Sequence, residues 1–268
     1  MQFGCILSPY DSRDYKLKAG ASKVDLPEEF SLPLNMEVKN QRQVSSCVAH
    51  AISSILEYHA IPKVSLSTNF IYGIRKELFN NDGKGMMLRD ACKIAADYGD
   101  MLLEDCPGNN EIPKSFEIAN IAFSDKDKLA RAHDYRILKY FLCVNNRDIK
   151  YALYNYGPVL ASMKWYKNYK VDKNGIISGE SKGEYGNHAI VVYGYTSEGF
   201  WCQNSWGKTW GKGGRFFVPY SIKFNEARGI VDWNGSDDLK EPNTDGILNL
   251  LYKGLNALSN LIRKLIEK

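Results

Sequence analysis

The spacing of hydrophobic residues changes part-way along the chain. Up to about residue 100, apolar positions recur every three or four residues; from about residue 115 onward they gather in short runs. Val48, Ile52, Ile55, Leu56 and His59 share one helical face, so residues 46–60 are predicted to be a helix. The same spacing predicts helices over 68–80 and 88–98. Beyond them, Phe116–Phe123, Tyr135–Val144, Pro158–Trp165, His188–Tyr195, Phe200–Gln203 and Arg215–Val218 predict strands. One helix, Arg147–Tyr156, interrupts them. Helices first and strands afterwards predict an α+β fold with the two classes segregated into two lobes.

Both ends depart from this body. Residues 1–25 precede Leu26-Pro27-Glu28-Glu29-Phe30 and read in two ways: a strap packed on the body, or an extension that occupies the cleft and restrains activity. Residues 26–233 form the predicted main domain. Asn234–Gly246 is polar, rich in breakers and carries a charge of −3, and reads as a linker. In Ile247–Lys268, Leu248, Leu251, Leu255, Leu258, Ile262 and Leu265 repeat at alternating three- and four-residue steps. That amphipathic helix suits self-association, docking on the body, or binding to an anionic surface.

Composition narrows the classes. The 268 residues are 44% hydrophobic and 25% charged, which suits a globular domain with a full core. A net charge of +4 is too small to argue for nucleic acid as a partner. No apolar stretch approaches the roughly 18 residues of a transmembrane span. The N-terminal residues lack a basic region followed by an apolar core, so the expectation is a cytoplasmic protein, or one released without a classical signal peptide. The six cysteines contain no CxxC metal pattern, and neither a metal nor an organic cofactor is expected. Cys92 and Cys106 are left open as a disulfide pair.

Three islands carry candidate chemistry. The first is VKNQRQVSSCVAHA, with Gln41 six residues before Cys47; the second is GNHAIVVYGY around His188; the third is QNSWG, from Gln203 to Gly207. They supply a thiol nucleophile, an imidazole base, an amide to orient that base and a donor for an oxyanion. Ser45 and Ser46 are candidate N-caps, which would set Cys47 in the first turn of a buried helix, where the unpaired N–H groups favour a thiolate. His188 opens one strand and Asn204 ends another. If those strands are adjacent and antiparallel, the Asn carbonyl accepts the ring N–H that faces away from the sulfur. Trp206 would shield that bond. Gln41 and the backbone N–H of Cys47 would face the oxyanion.

His188 follows Cys47 by 141 positions and Asn204 follows it by 157. That spacing, with Trp206 and the glycine-rich run Gly207–Gly214, resembles the papain family of cysteine peptidases over about residues 26–225. The resemblance implies a helical left lobe, a β-barrel-like right lobe and an active-site cleft between them. It implies hydrolysis of polypeptide substrates through a thioester. Val44 stands where the usual disulfide cysteine would be and Val48 where the usual tryptophan follows the nucleophile. Val-Ala-His-Ala after the thiol resembles bacterial and phage members, so His50 is expected to be a helix residue. The missing partner at Val44 favours a reducing compartment or independence from disulfides. Gly85 resembles the glycine whose backbone pairs with extended substrate, with Met86 and Met87 bordering an apolar specificity pocket and Asn187 touching substrate backbone. An ordinary glycine turn, with both methionines in the core, fits the same residues. Two further functions use the same residues: a transpeptidase or amidase on cross-linked peptides, and a non-enzymatic binding protein on a borrowed scaffold.

Overall fold

The computed structural model describes residues 3–17, 24–108 and 114–232. The predicted linker 234–246 and tail helix 247–268 lie outside the described residues. The helical part comprises α1 (Cys47–His59), α2 (Thr68–Gly73), α3 (Arg75–Phe79), α4 (Leu88–Asp97), α5 (Lys114–Ser124) and α6 (Lys126–Ala132). The strands are β1 (Cys5–Ile6), β2 (Phe30–Ser31), β3 (Met86–Met87), β4 (Ile137–Leu142), β5 (Val159–Tyr166), β6 (Lys170–Val171), β7 (Ile177–Ser178), β8 (Tyr185–Tyr195), β9 (Gly199–Gln203), β10 (Arg215–Pro219) and β11 (Phe224–Asp232). Helix α7 (Asn146–Tyr156) joins β4 to β5. Helices and an antiparallel sheet are thus segregated, as the change of period predicts.

The main sheet runs β10-β9-β8-β5-β11-β4, with β2 added on β8. Among the described residues β10 and β4 are its two edges, so the sheet is open where a barrel-like lobe was expected. β8 is long because its apolar run is buried on both faces: from His188 to Tyr195 every residue is buried. α1 packs its buried side against β8, which brings the start of that helix to the start of the apolar strand.

Two expectations need correction. Phe116–Phe123 is not a strand but most of α5. Ser115, Phe116, Ala119 and Ala122 are the buried positions, a helical stripe, and Gly73 of α2 packs so closely that a Cβ there would lie 2.4 Å from that of Ala119. The Phe and Ile content suggested β structure; the small residues at the contact decide for a helix pair. The helix expected over 68–80 is broken at Ile74 into α2 and α3. β11 has no clear signature because Glu226, Arg228 and Gly229 interrupt its apolar pattern. Cys92 and Cys106 are both buried free thiols, so the pairing left open does not form.

Of the N-terminal extension, residues 3–17 are described. β1 pairs in parallel with β3, Cys5 opposite Met86 and Ile6 opposite Met87. Further on, the Leu17 amide donates to Leu142 O at 3.1 Å and the Leu142 amide to Tyr15 O at 2.8 Å, on the edge of β4. The segment is docked on the body, and its first residues lie in the cleft.

Candidate active site

Ser46 stands at the N-cap of α1, but its side chain makes no capping hydrogen bond. Its carbonyl instead accepts from the His50 amide at 3.0 Å and meets His50 Nδ1 at 2.9 Å. His50 is therefore a buried helix residue, as expected. The first-turn amides of Cys47 and Val48 turn toward the Cys47 sulfur. From β8, the Ala189 amide reaches the same sulfur at 3.5 Å. The thiol thus sits where the positive end of α1 meets the residue after His188.

Asn204 Oδ1 accepts from the Ser205 amide at 2.7 Å, which fixes which side-chain atom is the oxygen. That oxygen is 2.7 Å from His188 Nε2, so Nε2 carries the proton and donates. His188 Nδ1 has no hydrogen-bond partner among the described residues. Trp206 stacks on the imidazole, ring centroids 4.6 Å apart and planes 25° apart, and Trp165 meets it edge-on at 5.9 Å. The Asn–His bond is thereby walled by indoles. Gln41 is fully buried; Nε2 donates to Val44 O at 2.8 Å and Oε1 accepts from Ser205 Oγ at 2.7 Å. Ser205, which sequence reading missed, thus locks the amide of Gln41. Nothing in the chain marks it except its place beside Asn204.

The cleft side is filled by the chain itself. Phe3 meets the His188 ring edge-on at 6.1 Å. The Gly4 amide faces the Cys47 sulfur, while Gly4 O accepts from the Met86 amide at 2.9 Å. A Cβ on Gly4 would lie 2.0 Å from Ser45 O, so only glycine fits there. Gly85 adopts φ 91°, and its amide donates to Tyr72 Oη at 3.3 Å. Met86 is fully buried and Met87 half-buried. Met86 packs in the core, as the ordinary-turn reading has it, and its backbone pairs with the chain's own β1. Asn187 Oδ1 accepts from Asn225 Nδ2 at 3.2 Å.

Burial sets the resting charges. Cys47 and His188 are both 0% exposed. Desolvation pushes the thiol up to about 11, outweighing the amides of Ala189, Gly4, Val48 and Cys47 that favour the thiolate. Desolvation likewise pushes His188 down to about 4, against the pull of Asn204. Burial of the covered pair thus favours the uncharged thiol and imidazole. Among the described residues no group of three or more His, Cys, Asp or Glu is placed to hold a metal ion.

A sequence profile of the papain family cysteine proteases matches residues 23–229. The chain belongs to that family. It is therefore a hydrolase of the cysteine peptidase class, with polypeptides as substrates. Among curated relatives of this papain-family chain, an uncharacterised peptidase C1-like protein of Acanthamoeba polyphaga mimivirus is 25% identical, over 92% of the chain and 89% of that protein. Falcipain-2a of Plasmodium falciparum is 27% identical over 66% of the chain, which spans only 38% of that relative. Among solved structures, xylellain, a cysteine protease from Xylella fastidiosa, superimposes with a TM-score of 0.74 at 21% identity, over 86% of the chain and 96% of its own. Procathepsin B of Trypanosoma congolense superimposes with a TM-score of 0.64 at 17% identity, over 86% of the chain and 85% of its own. At such identities the likeness concerns the fold.

Proposed function

We propose that the chain is a thiol endopeptidase in which Cys47, His188, Asn204 and Gln41 carry the reaction. The observation that carries this reading is the Nε2–Oδ1 bond between His188 and Asn204, with the Cys47 sulfur against the next residue's amide. Asn204 holds the proton on Nε2, leaving the Nδ1 lone pair as the base. With the cleft open to water, desolvation relaxes and a proton passes from Cys47 to Nδ1, giving thiolate and imidazolium. The thiolate attacks the peptide carbonyl carbon; the developing oxyanion is met by the Cys47 amide and by Gln41 Nε2, after it turns from Val44 O. The imidazolium then protonates the leaving amine, which departs as the carbon–nitrogen bond breaks. Water, giving its proton to His188, attacks the thioester, releases the acid and restores the thiol.

Extended substrate pairs along Gly85–Met87, the edge that β1 occupies in the resting chain. Met86 and Met87 border an apolar side-chain site, Asn187 lies beside the substrate backbone, and Trp206 keeps water from the His–Asn bond. The same occupancy makes residues 3–6 a restraint: substrate enters only when they leave. The Gly4 carbonyl in this segment is turned to the Met86 amide.

The test is hydrolysis of a dipeptidyl amide, with and without an epoxysuccinyl thiol trap, by native chain and by Cys47→Ala. Turnover that is trap-sensitive and lost in Cys47→Ala is expected. Full turnover in Cys47→Ala would remove the proposal.

A further inference from the structure

Ten residues beyond Gly4, the N-terminal segment places one carboxylate between two buried guanidinium groups. Asp14 Oδ1 accepts from Arg89 Nε at 3.2 Å and from Arg228 Nη1 at 3.3 Å. Its Oδ2 accepts from Arg89 Nη2 at 2.6 Å and from Arg228 Nη2 at 3.1 Å. Arg89 is in the first turn of α4, in the helical lobe; Arg228 is on β11, in the sheet. Both are almost wholly buried, with side chains 9% and 1% exposed. The carboxylate therefore ties the segment to both lobes at once.

The charges account for its strength. Arg228 Nε also donates to Glu226 Oε1 at 2.6 Å, and Glu226 Oε2 accepts from the Ser8 amide at 3.2 Å. Arg89 Nη2 reaches Pro9 O at 2.6 Å, and its amide meets Ser8 Oγ at 3.4 Å. These direct contacts join two cations and two carboxylates, and one carboxylate belongs to the segment. Burial alone would raise the Asp14 carboxyl, but the hydrogen bonds from Arg228 and Arg89 overcome it and hold the group below the usual range. The part in the cleft carries no charged side chain: it is held by the two-residue strand β1 and by Phe3 against the His188 ring.

We propose that Arg89 and Arg228 form a carboxylate-binding site whose resident ligand is Asp14, and that this site latches residues 3–6 over Cys47. The site takes no part in bond breaking. It sets how often the cleft is open, and it rests on the peptidase reading only for what the opening permits.

The test uses the full chain and its Asp14→Asn variant, which keeps shape and removes charge. Two quantities are read: the rate at which iodoacetamide alkylates Cys47, and backbone amide exchange at Met86, whose amide bonds Gly4 O, against exchange in β8. Both alkylation and Met86 exchange should rise about tenfold or more, since removing one partner leaves a buried charge uncompensated, while β8 exchange stays unchanged. Asp14→Glu should restore most of the protection. Equal rates in native and Asp14→Asn chains would overturn the latch, as would a parallel loss of β8 protection, which marks a merely structural role. Faster alkylation without any amide hydrolysis supports the latch and counts against the peptidase reading. Hydrolysis at equal rates by native and Asp14→Asn chains does the reverse.

Discussion

At the scale of single residues, the site is a set of hydrogen-bond choices made by neighbours. Ser205 is the clearest case: its amide fixes the Asn204 oxygen and its hydroxyl holds Gln41 Oε1, 2.7 Å in both contacts. Gln41→Ala should therefore lower kcat by about 10²–10³ with little change in KM, the usual cost of a lost oxyanion donor; steady-state kinetics on the opened enzyme checks this. Buried imidazoles make a second prediction. His188 and His50 are each pushed by burial from 6.5 to about 4. Between those values the unfolded chain binds the proton and the folded chain does not. Their contribution to stability is intact above about 6.5 and is lost as pH falls toward 4, at about 1.4 kcal/mol per pH unit for each group. Denaturant titrations across that window should show this slope, reduced by about half in His50→Gln.

At the scale of elements, close approach matters more than propensity. α5 is a helix because its small residues let α2 come near, Gly73 lying under Ser115 O and Ala119. Gly73→Ala would place a Cβ 2.2 Å from Ser115 O and must part the two helices. The cost of such overpacking is about 1–3 kcal/mol, read as a lower denaturation midpoint with the His188–Asn204 bond unaffected. β11 shows the converse. Its charged residues deny it a strand signature in sequence, yet they face partners supplied by distant segments, Ser8 and Asp14 among them.

At the scale of the whole molecule, the two lobes meet around a cleft that residues 3–6 occupy. Gly4 is the tightest point of that closure. Gly4→Ala would drive a methyl into Ser45 O and should expel residues 3–6, raising the rate of Cys47 alkylation while leaving the melting temperature of the body nearly unchanged. Both are measurable on one sample. Ile247–Lys268 offers a further test, because its heptad spacing suits self-association, docking on the body or surface binding. Sedimentation with and without residues 243–268 checks whether copies of the chain assemble.

Much of this protein is written in local pattern. The helical period around Cys47, the apolar run after His188 and the QNSWG island are features of neighbouring residues, and they mark the candidate thiol, base and orienting amide and most of the helices and strands. Contacts between residues far apart in the chain left no local trace. Whether Phe116–Phe123 coils or extends was decided by what packs on it. That Ser205 locks Gln41, and that Asp14 joins Arg89 to Arg228, depends on side chains up to 214 positions apart. Period and spacing record what one element asks of solvent and core; the occupancy of a cleft and the pairing of buried charges are agreed between elements, and only the folded chain brings those elements within reach.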